Sequence, residues 1–375
     1  MYNVKFSCKG GNDMRKYYLD NIRWMTVILV VVYHVIYMYN AEGILGGIGQ
    51  ITNLQAQYYD LYQYVVYPWF MPILFIVSGV CSRFYLKRHR DREFIRSRTR
   101  KLLVPSTIGL FAFQFVQGYI SMAISDAFDT MTAVPALIKY LIMAVSGIGV
   151  LWYIQILWVF SVLLVLVRRI EKGRLDAICE KVGLPALLLM TFPLWGAAQI
   201  GNTPVIVVYR FGFYGLLFLL GYYVFFRDSV VNVLKKYFVP LLIAACGLCA
   251  AFCIRYFGEN FADAPVNRSL LYVSFSWITC LAIFGGVAKY GDFETGFTRW
   301  MGRHNFGLYV FHYLGISAVA LYFGKSEMLP APATYLLSLI AGFAAGYLLN
   351  AIISRLPFFR WAVLGIRKGK ENVQG

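Results

Sequence analysis

The sequence predicts an all-α, polytopic transmembrane bundle of about ten spanning helices with both termini cytoplasmic. Three observations predict it. Of 375 residues, 59% are apolar and only 14% are charged, with a mean hydropathy of +0.62. A soluble chain carries charge on about a quarter of its residues, so this one cannot keep a protein surface wet. Apolar stretches long enough to cross a bilayer recur along its length, and the cations gather on alternate connections between them. Soluble enzymes, secreted disulfide scaffolds and disordered chains are excluded on these grounds.

A spanning helix needs about 20 apolar residues. The stretches that qualify are 24–40, 64–85, 102–123, 151–167, 184–200, 204–226, 238–257, 269–288, 304–323 and 333–353. The first follows Arg23 and ends in a polar turn. The second stops short of Lys87, and the third starts past Lys101. The fourth opens on Trp152-Tyr153 and ends at Arg168, and the fifth begins after Lys181. Arg227 closes the sixth, Lys236 precedes the seventh, and Lys289 follows the eighth. Arg303 precedes the ninth, and Arg355 closes the tenth. An eleventh apolar run, 134–147, is too short and carries Lys139, so it is placed as an interfacial helix. With the N-terminus cytoplasmic, 30 of the 35 Lys and Arg residues fall inside, as the positive-inside rule requires. Promoting 134–147 to a full span would put the Arg168–Lys181 cluster outside. The longest outside segments are then 41–63 and 124–150.

The net charge of +17 is therefore a topology signal, with membrane lipids rather than nucleic acid as its partner. No cleavable signal is apparent. Residues 1–14 read as a loose leader, Met14 being an alternative start to Met1; 15–365 read as one membrane-embedded domain and 366–375 as a cytoplasmic tail. Seven cysteines are present, three of them (Cys246, Cys249, Cys253) on one face of an apolar stretch. They lack a fourth ligand and read as small packing residues, and no metal is expected. Gly342-x-x-x-Gly346 marks a close helix contact in the last span.

Ionisable residues in or bordering spans are functional hypotheses by default. Arg23 and His34 are eleven residues apart, which on a helix is three turns plus roughly 20° and a rise of about 16 Å. They share a stripe, and Asp20 lies near enough to brace Arg23. His34, flanked by Tyr33 and Tyr37, is a group that can take a proton from a hydroxyl and return it. The 87–101 loop holds eight cations, which suit anionic headgroups. Its end, Arg98-x-x-Lys101-Leu-Leu-Val-Pro105, puts two cations on one helix face at the membrane edge, well placed for phosphates. Ser78-Gly79, Trp152-Tyr153 and Tyr309-x-x-His312 are further candidates. Each also has an ordinary reading: a packing notch, an interfacial anchor and a hydrogen-bonded core histidine.

In order, these marks resemble the integral-membrane acyltransferase family 3. The resemblance rests on Arg23-x10-His34, on Phe75-Ile76-Val77-Ser78-Gly79 and on Arg98-Thr99-Arg100-Lys101-Leu102-Leu103-Val104-Pro105. It extends to Trp152-Tyr153 and to the run from Gly302 to His312. Lys101 stands where the family has arginine, and Asn305 where it commonly has serine. The opening Tyr18-Leu19-Asp20-Asn21-Ile22-Arg23 is similar to the glucan biosynthesis protein C branch. The resemblance implies transfer of an acyl group, acetyl or succinyl, from cytosolic acyl-CoA to a hydroxyl of an envelope glycan or glycolipid. His34 would be general base or transient acyl carrier. Arg23 would hold the donor or stabilise charge at the reacting carbonyl, and Arg98 and Lys101 would bind donor phosphates. Location in the inner (plasma) membrane follows. A transporter or flippase that uses the same polar stripe as a pathway is the alternative.

Overall fold

A computed structural model describes residues 15–203, 207–326 and 328–366. The expected leader at 1–14 and all but the first residue of the expected tail lie outside these. In chain order the helices are α1 (Tyr17–Met38), α2 (Leu61–Leu86), α3 (Asp91–Arg98), α4 (Phe115–Ile124), α5 (Ala136–Ser146), α6 (Trp152–Glu171), α7 (Arg174–Ile178) and α8 (Leu184–Leu189). They continue with α9 (Thr191–Gln199), α10 (Phe211–Leu220), α11 (Asp228–Lys236), α12 (Phe238–Tyr256), α13 (Leu270–Tyr290), α14 (Gly296–Val319), α15 (Ala331–Ile353) and α16 (Pro357–Leu364). Among the described residues there is no β-strand, only two isolated bridges. The architecture is all-α, and the chain is a multi-pass membrane protein.

Among the described residues seven helices are long and apolar enough to cross a membrane, and nine segments are if two bent pairs each count as one span. The sequence reading counts ten. The difference is 102–123, where only Leu110–Ile124 forms a continuous apolar helix. Pro105 has no N–H to continue the ladder, and the hydroxyls of Ser106 and Thr107 bond back to the carbonyls of Leu102 and Leu103 at 2.7 and 2.6 Å. The stretch at 184–200 is also not one straight rod. It breaks into α8 and α9 at Met190 and meets the preceding helix at 116°. The run at 134–147 forms the 11-residue α5, too short to cross.

The chain divides into two compact units, with boundaries inside α3, α6 and α14. The larger contains residues 15–94 and 159–305, and α2 is its centre, with α1, α10, α12 and α13 packed on it. Apolar on all sides, α2 fits that position, and 94% of its span window is buried. It approaches α10 closely because Gly79 faces Gly221. A Cβ on Gly79 would sit 2.1 Å from the Phe218 carbonyl oxygen, and one on Gly221 2.1 Å from that of Ile76. The smaller unit contains 95–158 and 306–366. There Gly346 packs on Leu308, a close helix contact like the one its Gly-x-x-x-Gly spacing predicts.

Candidate active site

In the larger unit, α1 carries Asp20, Arg23 and His34 on one unbroken helix. Its first turn is pinned by side chains that take up unpaired groups of the 291–293 loop. Asn21 donates to the carbonyls of Gly291 and Phe293 at 2.6 and 2.9 Å, and the Tyr18 N–H donates to Asp292 at 3.1 Å. Asp20 accepts from Arg15 at 2.7 and 3.1 Å and from Arg23 at 3.4 Å. The strong charge-assisted bonds thus go to Arg15, and Asp20 offsets the Arg23 charge only in part.

His34 Nδ1 lies 2.9 Å from the Val30 carbonyl oxygen. A carbonyl only accepts, so Nδ1 is the donor in this contact. Tyr33 and Tyr37 meet the imidazole edge-on, at 5.1 and 5.8 Å between centroids. Tyr33 in turn stacks on Tyr67 of α2 at 5.7 Å, and the Tyr37 hydroxyl donates to the Leu45 carbonyl. The Val30 carbonyl and the two tyrosine edges fix the orientation of the ring. Ser78 is buried in α2, and its carbonyl accepts from Ser82 at 2.8 Å. Its neighbour Gly79 forms the notch described above.

The 41–63 segment, one of the two longest expected outside segments, is organised around Asp60. This fully buried carboxylate accepts from the Ala41 N–H at 3.0 Å and from the side chains of Gln57 and Gln63 at 2.9 and 3.1 Å. Beside it, burial and then the charge of Asp60 push the Glu42 carboxyl up to about 7.

The smaller unit holds the other candidates. Arg98 is buried at the end of α3, and Lys101 sits in a π turn, Thr99–Leu103. The face-sharing expected of a regular α-helix is altered there, because a π turn spreads more residues over each revolution. The segment is braced by Trp158, which donates to Thr99 Oγ1, and by Gln155, which donates to the Ser106 carbonyl, both at 3.0 Å. Trp152, Tyr153, Tyr309 and His312 form a continuous aromatic group, with successive centroids 6.3, 6.0 and 6.5 Å apart. The Tyr309 hydroxyl donates to the Val150 carbonyl, and the fully buried His312 shares its Nδ1 proton between the carbonyls of Leu308 and Tyr309. Within its unit, therefore, the fold gathers Trp152, Tyr309 and His312, which sequence spacing alone could not join.

Among the described residues no group of three or more His, Cys, Asp or Glu could hold a metal ion. The acyltransferase 3 family model, described as an acyltransferase domain, matches residues 16–354. No curated protein and no solved structure matches the chain.

Proposed function

Since the chain belongs to acyltransferase family 3, we propose that it moves an acyl group, acetyl or succinyl, from acyl-CoA to a hydroxyl of an envelope glycan or glycolipid at the inner (plasma) membrane. The observation that supports this reading is the placement of His34, whose Nδ1 lies 2.9 Å from the Val30 carbonyl oxygen and whose ring is flanked by Tyr33 and Tyr37. In the proposed step Nε2 takes the hydroxyl proton as the acceptor oxygen attacks the thioester carbonyl. The tetrahedral intermediate collapses, the carbon–sulfur bond breaks, and the imidazolium returns its proton to the coenzyme A thiolate. A positioned base of this kind contributes about 10²–10⁴ in rate.

The length of α1 apportions the roles of Arg23 and His34. Eleven residues of unbroken helix separate Arg23 from His34 by about 16 Å, too far for one carbonyl to touch both. An extended pantetheine arm covers a comparable distance. Arg23 is therefore assigned to the donor's phosphates and His34 to the reacting end. Arg98 and Lys101, in the smaller unit, are proposed to bind donor phosphates, for which cations bordering a low-dielectric bundle are better ligands than cations in water.

The test is mass spectrometry of envelope glycans and lipids with and without the gene. The expected result is a class of molecules lighter by one acetyl or succinyl group when the gene is lost, restored by wild type and not by His34→Ala. An unchanged envelope, with purified protein that consumes no acyl-CoA, would overturn the reading in favour of a transporter.

A further inference from the structure

The larger unit contains a second charged site, distinct from Arg23 and His34. Arg210, at the start of α10, is 1% exposed. Among the described residues no carboxylate pairs with it. Its Nη2 donates to the Asn267 carbonyl at 2.6 Å, while Nε and Nη1, with three N–H groups between them, have no acceptor. Aromatic rings surround the guanidinium: Phe213 at 4.7 Å, Tyr272 at 5.1 Å and Tyr214 at 5.8 Å from its central carbon to their centroids. Tyr67 lies against Tyr272 at 6.5 Å. On α13, Tyr272, Ser276 and Thr279 follow one another at helical spacing on one face. The hydroxyls of Ser276 and Thr279 and the Asn267 Oδ1 are buried without a hydrogen-bond partner.

A guanidinium taken out of water is costly unless it is paired, and ring faces recover only part of that cost. Two unspent guanidinium nitrogens on one buried charge, with the Tyr214 and Tyr272 side chains against it, describe a receptor whose ligand is an anion. We propose that Arg210, with the hydroxyls of Tyr214 and Tyr272, binds a carboxylate. A single positive charge in an aromatic cage matches a single negative charge, and no second cation stands among its ring contacts to balance a phosphate dianion. The cage is also continuous with the base: Tyr33 touches both His34 and Tyr67, and Tyr67 touches Tyr272. The carboxylate belongs to a reactant, either the free end of a dicarboxylic acyl group such as succinyl or an acidic group on the acceptor. That last assignment rests on the acyl-transfer reading, whereas the anion site does not.

Two measurements on the purified full-length protein test this. The first is thermal unfolding with sodium succinate, sodium glucuronate or neutral succinamide at matched ionic strength. Succinate or glucuronate should raise the midpoint of the wild type by a few degrees, as saturating ligand does, and succinamide should not. Arg210→Gln should lose the shift and Arg210→Lys should keep part of it. The wild-type comparison stands even if a variant fails to fold. The second is binding of succinyl-CoA against acetyl-CoA. A wild-type preference for succinyl-CoA of about tenfold or more, abolished in Arg210→Gln, assigns the carboxylate to the acyl group. Loss of the thermal shift with donor preference unchanged assigns it to the acceptor. No shift with either carboxylate in the wild type, or an equal shift in Arg210→Gln, overturns the site and leaves Arg210 as a clamp on the 257–269 loop. Wild-type protein that binds no acyl-CoA yet is protected by succinate would sink the proposed function and not this site.

Discussion

At the scale of single residues, two tests separate chemistry from scaffolding. His34→Ala should lower the transfer rate by about 10²–10⁴ with folding and coenzyme A binding retained. If His34 instead carries the acyl group covalently, wild-type protein starved of acceptor should show an acylated peptide in mass spectrometry. Wild-type turnover in His34→Ala removes both roles. The second test concerns Glu42, whose carboxyl burial and Asp60 raise to about 7. A raised pKa means that the folded loop binds a proton the unfolded chain does not hold above about 4.3. By linkage, stability of the 41–63 segment is then full below that value and is lost as pH rises through about 7. Glu42 faces Asp60 and Tyr64. Hydrogen exchange of the segment, corrected for intrinsic rate, should accelerate several-fold between pH 5.5 and 8, and Glu42→Gln should flatten that dependence. An equal acceleration in Glu42→Gln would place the titration elsewhere.

At the scale of elements, what was legible was what is local. Asp20 and Arg23 sit one turn apart, and their 3.4 Å contact follows from that spacing. The close contact at Gly346 also follows from its spacing in α15. The stacking of Tyr33 on Tyr67 does not, because it depends on how α1 meets α2. Hydropathy reads composition and not hydrogen bonds, which is why 102–123 counts as a span although Pro105 interrupts its ladder. Arg210 was legible in principle: a lone arginine in the apolar run 204–226 is a functional hypothesis. A charge count along the loops does not single it out. The notch between α2 and α10 gives an element-level prediction. Gly79→Ala places a methyl about 2.1 Å from a backbone carbonyl that cannot rotate away. Overpacking of this kind costs about 1–3 kcal/mol, so the unfolding midpoint should fall, whereas Ser78→Ala should leave it nearly unchanged. Equal midpoints for Gly79→Ala and wild type would mean that α2 and α10 do not pack as closely as described.

At the scale of the whole molecule, the question is which face of the membrane the donor uses. Within the larger unit, ion pairs tie together connections that the sequence puts on one side. Asp91, after α2, takes Arg168 at 2.6 Å, and Asp176 takes both Arg83 and Arg227, at 2.7 and 3.0 Å. Lys16 pairs with Asp228, and Arg15 with Glu294 at 3.3 Å. The start of α1 and the connections after α2, α6, the 211–225 helix and α13 therefore meet at one end of that unit. Most of these pairs are partly exposed and contribute little stability individually. Their value is topological, since a single leaflet must face them all. This end also carries the bulk of the 30 cations that the charge count puts inside, so the positive-inside rule predicts that it faces the cytoplasm, the side from which the proposed acyl-CoA donor would come. In a cysteine-free background, single cysteines at 50–60 and 126–132 should react with an impermeant maleimide added from outside, and cysteines at 90–95 should not. Arg98→Ala and Lys101→Ala should raise the KM for acyl-CoA and spare the acceptor's, as loss of donor binding does. Labelling of 90–95 from outside would invert the molecule, set Arg23, Arg98 and Lys101 on the side without coenzyme A, and remove the donor site with them.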